Sequence, residues 1–189
     1  MLSYTELTKG TVFVMDGEPY EVVETQFVRM QQRKPVVQAK IKNLISGKVI
    51  PKTLHQSDSY EEAEIEKKEA VFVYEHRGKF IFHEPNDKSS RFELDDAALG
   101  DQKKFLKPNM TVTQQIFREK VIGVVLPIKV EYLVKEAPPN IKGDTATGGN
   151  KLVTLENGLE IAVPMFINQG DTIRVNTVTG QYTERAEKK

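Results

Sequence analysis

Residues 21–44 read EVVETQFVRMQQRKPVVQAKIKNL and carry the clearest fold signal in the chain. Two strand-like arms, residues 21–29 and 36–44, flank the polar segment Gln31-Gln32-Arg33-Lys34. This pattern is typical of a β-hairpin. At about 3.3 Å per residue, nine-residue arms extend roughly 30 Å, so we expect the tip to stand well away from its barrel. Pro35 lies where the second arm begins, a position that tolerates the loss of an N–H donor.

The charge of this hairpin region is segregated, although the chain as a whole is neutral. The 189 residues contain 27 basic and 27 acidic side chains. Residues 25–57 contain no acid and seven cations, which are Arg29, Arg33, Lys34, Lys40, Lys42, Lys48 and Lys52. Lysines on a hairpin also block edge-to-edge aggregation, but mixed charges would serve solubility equally well. Seven cations without an acid favour a polyanionic partner, and RNA phosphate is the expected one.

Short strand-like runs separated by turn residues continue along the rest of the chain, so we expect an all-β protein. The acidic stretch 61–69 and the dipeptide Leu126-Pro127 are the candidate boundaries. Cutting the chain there gives residues 1–64, 65–127 and 128–189, each near the lower size limit for an independent barrel. The sequence therefore predicts three small β-barrels in series.

Two segments have helical features. Residues 60–70 are rich in Glu, Lys and Ala, and this propensity favours a helix. Residues 95–106 contain Ala97, Ala98 and Leu99, but Gly100 interrupts them. We therefore expect one or two helical turns that join strands in the second segment.

The sequence offers little that would support an enzyme. There is no cysteine, which excludes disulfides, thiolate catalysis and any Cys-ligated metal site. The three histidines, His55, His76 and His83, stand singly without a spaced ligand partner. The glycine-rich segment 143–149 lacks the Gly-Lys-Ser/Thr ending of a nucleotide-binding loop. We expect no catalytic residue, no metal and no cofactor.

The remaining sequence features suggest a cytoplasmic protein. The longest apolar run, residues 121–128, is far shorter than the roughly 20 residues of a membrane helix. The N-terminus MLSYTE lacks the basic and apolar regions of a secretion signal. We therefore expect no membrane association.

The segment 143–149 has two readings that the residues leave open. Its glycines would let the backbone approach a partner closely, and Thr145 and Thr147 offer polar groups that no core requires. A solvated surface loop explains the same composition.

Several motifs together resemble the bacterial translation elongation factor P family, and the resemblance covers essentially the whole chain. In the N-terminal third these are DGEPY at 16–20 and KIKNL at 40–44 followed by Gly47. In the C-terminal third they are GDTATGG at 143–149, Lys151, Gly158, Val163-Pro164, Gly170 and the ending Gly180-x-Tyr182-x-x-Arg185. Val153 stands where alanine is commoner in that family.

The resemblance implies an architecture and a function. An SH3-like (KOW-type) barrel is followed by two OB-fold barrels in an L shape, and residues 60–70 become partly strand and domain junction. Factors of this family bind the ribosome beside the peptidyl-tRNA and relieve stalling at consecutive prolines. The factor is not an enzyme, because the ribosome catalyses peptide transfer. The first-domain tip approaches the acceptor end of the peptidyl-tRNA, and the third domain lies near the small subunit.

The expected partners are therefore ribosomal RNA and peptidyl-tRNA, bound by a monomer. Ten residues are expected to contact RNA, on charge in the hairpin and on resemblance in the third domain. They are Arg29, Lys40, Lys42, Gly143, Asp144, Thr145, Thr147, Gly148, Tyr182 and Arg185.

The hairpin tip departs from the family pattern, in which Pro-Gly-Lys-Gly with a modified lysine is common and another subgroup uses an arginine that receives a sugar. An ungapped comparison puts Gln32 at the modified position, and shifts of one or two residues put Arg33 or Lys34 there. A tip-modifying enzyme is a partner that the resemblance suggests but that this tip does not specify. Arg33 has a planar, permanently charged fork suited to phosphate and to stacking on a base. We predict that Arg33 is the principal tip residue and that Lys34 supports it.

Other functions compete with this one. An elongation-factor-P-like paralogue is the first, although the segment 143–149 argues against it. A general single-strand RNA-binding protein or RNA chaperone is the second, because OB-fold barrels serve that role widely. An enzyme is the third.

Overall fold

A computed structural model describes residues 1–28, 35–139 and 149–186 of the chain. The all-β prediction is confirmed, because these residues form sixteen strands in three antiparallel sheets. The strands are β1 (Leu2–Ser3), β2 (Val12–Met15), β3 (Glu18–Val28), β4 (Val36–Asn43), β5 (Val49–Leu54), β6 (Ser59–Glu62), β7 (Glu66–His76), β8 (Lys79–Glu84), β9 (Asp87–Asp95), β10 (Thr111–Phe117), β11 (Lys120–Val125), β12 (Lys129–Glu136), β13 (Asn150–Leu155), β14 (Glu160–Pro164), β15 (Thr172–Asn176) and β16 (Gln181–Arg185). In this part of the chain, no helix is long and apolar enough to cross a membrane.

The first sheet has the strand order β1-β6-β2-β3-β4-β5. Its core contains Leu7, Phe13, Val22, Ile41 and Leu54, each at most 1% exposed. Burying such side chains contributes about 1.5–3 kcal/mol each relative to leaving them in water. The tight turn from β2 to β3 is Asp16-Gly17, and both residues have positive φ, 53° and 82°. Two successive positive φ angles are typical of the hairpin turn whose twist matches that of the flanking strands.

The second and third sheets share one topology. The second has the order β11-β10-β7-β8-β9 and the third β14-β13-β12-β15-β16. Numbered within each domain, both orders are 3-2-1-4-5, read from opposite edges. In each sheet the two outer strands also contact each other, β9 with β11 and β14 with β16. Both sheets are therefore five-stranded barrels that close on themselves, as the OB fold does.

The two helical expectations have opposite outcomes. Residues 60–70 are not helical, since β6 covers Ser59–Glu62 and β7 begins at Glu66. Their propensity is overridden because β7 is the central strand of its sheet and pairs with both β8 and β10. The second expectation is confirmed: α1 (Asp96–Leu99) is a single turn and a 3₁₀ helix follows over Gly100–Phe105. Asp95 caps α1, because its side chain accepts a hydrogen bond of 3.0 Å from the Ala98 N–H.

β1, β6, β9 and β16 do not stand out as strand-like runs in the sequence, and β9, with nine residues, is the longest of them. β9 follows β8 after a tight turn, and its polar composition conceals the inward positions of Phe92 and Leu94. β16 lies at the other edge of the third sheet and begins directly after the turn glycine Gly180. Edge strands such as these carry polar side chains toward water, so their alternation is weak in the sequence.

The second and third barrels share a continuous core. One cluster of buried side chains extends from Ala70 in the second barrel to Val175 in the third. Phe105 and Tyr132 meet across the junction, where the Tyr132 hydroxyl donates a hydrogen bond to the Phe105 carbonyl. Gly180, with φ 70°, lies beside the Phe105 ring, where an added Cβ would be 3.5 Å from Cζ. These contacts fix the two barrels against each other.

The buried apolar cluster between the first and second barrels is much smaller than the one shared by the second and third. Three buried apolar residues, Ala63, Phe117 and Ile122, form a separate cluster there. An exposed ion pair of 3.4 Å joins Arg118 to Glu61. The limits of each independently folding unit, at 64/65 and 127/128, remain a prediction, and the shared core makes the second of these the weaker division.

Candidate nucleic-acid interface

Four of the predicted contact residues lie in the part of the chain that the structure describes. They are Lys40, Lys42, Tyr182 and Arg185. The other predicted residues lie outside it, in the hairpin tip (Arg29, Gln32, Arg33, Lys34) and in the glycine-rich segment (Gly143, Asp144, Thr145, Thr147, Gly148). For these nine residues RNA contact remains a prediction from the sequence.

The predicted hairpin is formed by β3 and β4. Its ladder runs from Tyr20 opposite Asn43 to Val28 opposite Val36. Along β4, Val37, Ala39 and Ile41 are buried, while the intervening residues face outward. The inward row leaves the core at Phe27, which lies opposite Val37 and is 58% exposed. On β3 the hairpin has left the core at Phe27, whereas on β4 Val37 is 6% exposed and still belongs to the core. That the tip stands away from the barrel remains a prediction.

Lys40 is not an unopposed cation. A bulge in β3 between Val22 and Glu24 places Glu24 directly across from Lys40, and the ammonium donates to the carboxylate at 2.8 Å. This hydrogen bond raises the pKa of Lys40 and lowers that of Glu24. Both side chains are more than 60% exposed, so the pair contributes little to stability but reduces the positive field of the hairpin. Glu24 immediately precedes the acid-free stretch 25–57, so a charge count of that stretch leaves out the partner of Lys40.

Lys42 lies closer to the second barrel than the sequence suggests. It is half-buried and lines a cleft of about 380 Å³ between the first and second barrels. Glu21 lies opposite it in the ladder, and Asp101 lines the same cleft. Lys42 therefore faces the second barrel, whereas Lys40 is exposed.

Tyr182 and Arg185 lie on the same strand but have different surroundings. Tyr182 is half-buried and packs against the shared core. Arg185, three residues later on β16, is exposed, and its Nη1 lies 3.9 Å from the Asp171 carboxylate. Its guanidinium also lies over the Phe166 ring, 5.9 Å from the centroid. The structure thus packs Tyr182 into the fold and presents Arg185 to solvent.

The two ends of the third barrel have different surroundings. At one end the turns pack on the second barrel: Asn157 Nδ2 donates to the Lys104 carbonyl at 2.9 Å, and Lys107 pairs with Glu156 at 3.0 Å. At the opposite end β13 begins at Asn150, paired with Pro164 at the end of β14. Arg185 ends β16 there too, opposite Ile173 near the start of β15. The segment 140–148 therefore joins the barrel at the end that faces away from the second domain, which we call the distal end.

Lys151 stands at the base of that segment and was not among the predicted contacts. It is 8% exposed, and its ammonium donates to the Pro138 carbonyl at 3.3 Å. Pro138 and Lys151 lie on either side of the segment 140–148, so this bond ties its two ends together. Burying an ammonium without hydrogen-bond partners is costly, so the bond to Pro138 offsets part of the cost of burying Lys151. The only sequence signal was the place of Lys151 in the family spacing.

A charged row on the outer face of the third barrel is already neutralised. Glu131, Arg174 and Glu184 lie in register on β12, β15 and β16. Arg174 donates to Glu131 at 3.0 Å and to Glu184 at 3.1 Å, and these hydrogen bonds raise the pKa of Arg174. Arg174 first and Lys129 second lower the pKa of Glu184. The positive charge of this face is therefore balanced by its own carboxylates.

Nothing in the described ranges, 1–28, 35–139 and 149–186, forms a group of three His, Asp or Glu residues that would hold a metal ion. His83, which precedes the polar turn after β8, is 9% exposed and its Nδ1 is 2.7 Å from the Glu84 carbonyl. Its ring is therefore accommodated by the turn itself.

Three family models match the chain one after another. The description "Elongation factor P (EF-P) KOW-like domain" matches residues 3–60, "Elongation factor P (EF-P) OB domain" residues 65–124 and "Elongation factor P, C-terminal" residues 130–185. The chain is 37% identical over 185 residues to elongation factor P of Carboxydothermus hydrogenoformans, an alignment that covers 98% of this chain and 100% of that protein. It is 38% identical over 186 residues to elongation factor P of Symbiobacterium thermophilum, with 98% and 100% coverage.

A solved structure has a similar fold. "Eukaryotic translation initiation factor 5A from Methanococcus jannaschii" superposes with a TM-score of 0.50 at 12% identity. The match covers 66% of this chain and 92% of that one. At this identity the similarity concerns the fold alone.

Proposed function

The chain belongs to the elongation factor P family and is a translation elongation factor, and from this premise we propose that it binds the ribosome beside the peptidyl-tRNA and promotes peptide-bond formation at consecutive prolines. The observation that carries the proposal is the full-length match, in which three family domains follow one another over residues 3–60, 65–124 and 130–185. The family motifs in the sequence support the same function.

The proposed partners are ribosomal RNA and the peptidyl-tRNA. The projecting hairpin would carry Arg33 and Lys34 toward the acceptor end of the tRNA, with Lys42 in the cleft behind it. The distal end of the third barrel, with Arg185 and the segment 140–148, would contact RNA on the small subunit. We propose that the factor acts as a cytoplasmic monomer. A tip-modifying enzyme is a further possible partner that the tip sequence does not assign to Gln32, Arg33 or Lys34.

The factor itself would perform no covalent step. A hairpin that restrains a misplaced peptidyl-tRNA lowers the barrier by orientation, and cations fixed near the reacting ends lower it by preorganised electrostatics. Each effect is able to change a barrier by several kcal/mol, so no catalytic side chain and no cofactor are needed. The ribosome would remain the catalyst of peptide transfer.

Reconstituted translation of two messages tests the proposal. One encodes three consecutive prolines and the other the same peptide with alanines in their place. We expect the purified chain to accelerate synthesis across the prolines and to leave the alanine message unchanged. Equal effects on both messages would contradict the proposal.

Salt-dependent binding separates this function from general RNA binding. Binding to intact ribosomes should be much tighter than binding to an arbitrary single-stranded RNA at the same ionic strength. Equal affinity for the two would favour the RNA-chaperone alternative, which the OB folds make reasonable.

A further inference from the structure

We propose that Phe166 is a base-stacking residue, and that it forms with Arg185 a site for one unpaired nucleotide of RNA at the distal end of the third barrel. The base would stack on the Phe166 ring, and its phosphate would bind the Arg185 guanidinium. This inference rests on the proposed function, because the RNA would belong to the ribosomal complex.

The ring of Phe166 is exposed although its neighbour is not. Phe166 is 56% exposed, whereas Ile167 is 0% exposed and belongs to the shared core. The connection from β14 to β15 therefore buries the Ile167 side chain and turns the preceding Phe166 side chain toward water. A ring held outward in this way is accessible to a ligand, and the Arg185 guanidinium lies over one of its faces.

The backbone around Phe166 is fixed by hydrogen bonds. The Ile167 N–H donates to the Pro164 carbonyl at 3.1 Å, and the side-chain Nδ2 of Asn168 donates to the Phe166 carbonyl at 3.1 Å. The Asn168 N–H in turn donates to the Asp171 carboxylate at 2.8 Å. Because the loop is already ordered, a ligand on the ring would lose little affinity to conformational entropy.

Arg185 is oriented but its donors are unused. Asp171, whose side chain is 11% exposed, lies 3.9 Å from Nη1, and the guanidinium lies over the Phe166 ring. Within the described ranges the Arg185 guanidinium makes no hydrogen bond, in contrast to Arg174. Its planar fork is therefore available to bind two phosphate oxygens.

The combination favours a nucleotide over an apolar protein partner. Aromatic rings on which bases stack, and arginines near them, are among the features with which OB folds bind single-stranded nucleic acid. Other exposed apolar residues of this barrel, such as Leu152 and Val178, are aliphatic and offer no π face. The site also lies at the end away from the second domain, where the strand ends leave room for a ligand.

Ribosome binding by full-length variants tests the stacking. Phe166→Ala and Phe166→Leu should bind roughly 5- to 150-fold more weakly, since a stacked base contributes that much to affinity. Phe166→Trp should retain binding within about threefold, because it keeps a π face. Val178→Ala, an exposed residue at the opposite end, is the matched control and should bind like the unchanged chain. If Phe166→Ala kept full affinity, or if Phe166→Leu bound as well as Phe166→Trp, the proposal would be wrong.

Photocrosslinking identifies what the ring touches. With p-benzoylphenylalanine in place of Phe166, irradiation of the ribosome complex should join the chain to RNA. A crosslink to a ribosomal protein alone would overturn the proposal. The proline assay distinguishes failure of the stacking site from failure of the proposed function. If Phe166→Ala binds ribosomes normally and still rescues proline synthesis, only the stacking site is refuted. If the unchanged chain did not bind ribosomes, both inferences would fail together.

Discussion

Tyr132 of the third barrel donates its buried hydroxyl to the backbone carbonyl of Phe105 in the second. Both residues are at most 3% exposed and lie in the core that the two barrels share. Asn157, Lys107 and Gly180 add contacts around them. The second and third barrels are thus joined through a polar bond inside an apolar interface.

Removing this hydroxyl should destabilise both barrels. Tyr132→Phe leaves the Phe105 carbonyl without its partner, and a buried unsatisfied carbonyl costs about 1–3 kcal/mol. Denaturant unfolding should show a lower midpoint with an unchanged slope. Tyr74→Phe is the control, because Tyr74 is 47% exposed, and it should change stability by less than about 0.5 kcal/mol. Equal stability of the two variants would contradict the role given to Tyr132.

The same tyrosine should make stability fall at alkaline pH. Burial raises the pKa of Tyr132 above its ordinary value, so the unfolded chain releases this proton at a lower pH than the folded chain. Above pH about 10 the free energy of unfolding therefore falls, by up to about 1.4 kcal/mol per pH unit. Tyr132→Phe should show a correspondingly shallower decline than the unchanged chain between pH 10 and 11. Parallel declines would show that other groups cause the effect.

The hairpin lysines should contribute to the salt dependence of ribosome binding. Lys40→Glu with Lys42→Glu should weaken binding, and each lost cation should reduce the salt slope by about 0.7–0.9. Glu24→Gln is the informative partner variant, because it releases Lys40 from its ion pair and should strengthen binding. Unchanged affinity and slope in the double variant would contradict a role for this surface.

The two predicted residues of β16 should behave differently. Tyr182→Ala removes a half-buried ring from the core and should lower stability by about 1–3 kcal/mol. Arg185→Ala should leave stability within about 0.5 kcal/mol, because its side chain is exposed. We expect Arg185→Ala alone to impair proline rescue in a fully folded protein. A folded, stable Tyr182→Ala variant without activity would instead favour direct contact by Tyr182.

The hairpin tip should depend most on its arginine. The proline assay compares Gln32→Ala, Arg33→Ala and Lys34→Ala. In addition, the intact mass of the unchanged protein, purified from its own organism, shows whether the tip carries an adduct. Arg33→Ala should cause the largest loss, because its fork binds phosphate without modification. Full activity of Arg33→Ala with loss in Lys34→Ala, or an adduct mass located on Lys34, would assign the tip to Lys34.

The sequence predicts what alternation and turn chemistry determine. β4 is recognisable because Val37, Ala39 and Ile41 alternate with polar residues, and Gly100 marks the end of α1. The pairing of Glu24 with Lys40 is not predictable in this way, because it depends on a bulge that resets the register. The residues of β7 have helical propensity, and only the two neighbouring strands of the folded sheet make them extended.

The candidate site shows the same limit. Arg185 follows from the family ending, but Phe166 lies in the apolar run VPMFI at 163–167, where no pattern separates it from Ile167. Whether the Phe166 or the Ile167 side chain is buried depends on the turn after Pro164. An exposed aromatic of this kind becomes visible only when the loop is folded.

The shared core also constrains how this protein can change through evolution. A substitution at Phe105 has to be accommodated by Tyr132 and Gly180 in the next barrel at the same time, so mutations at these positions should be epistatic. The first barrel, attached through the small cluster around Ala63, is free of that constraint. Exchange of domains between relatives should therefore succeed for the first barrel alone, and for the other two only as an inseparable pair.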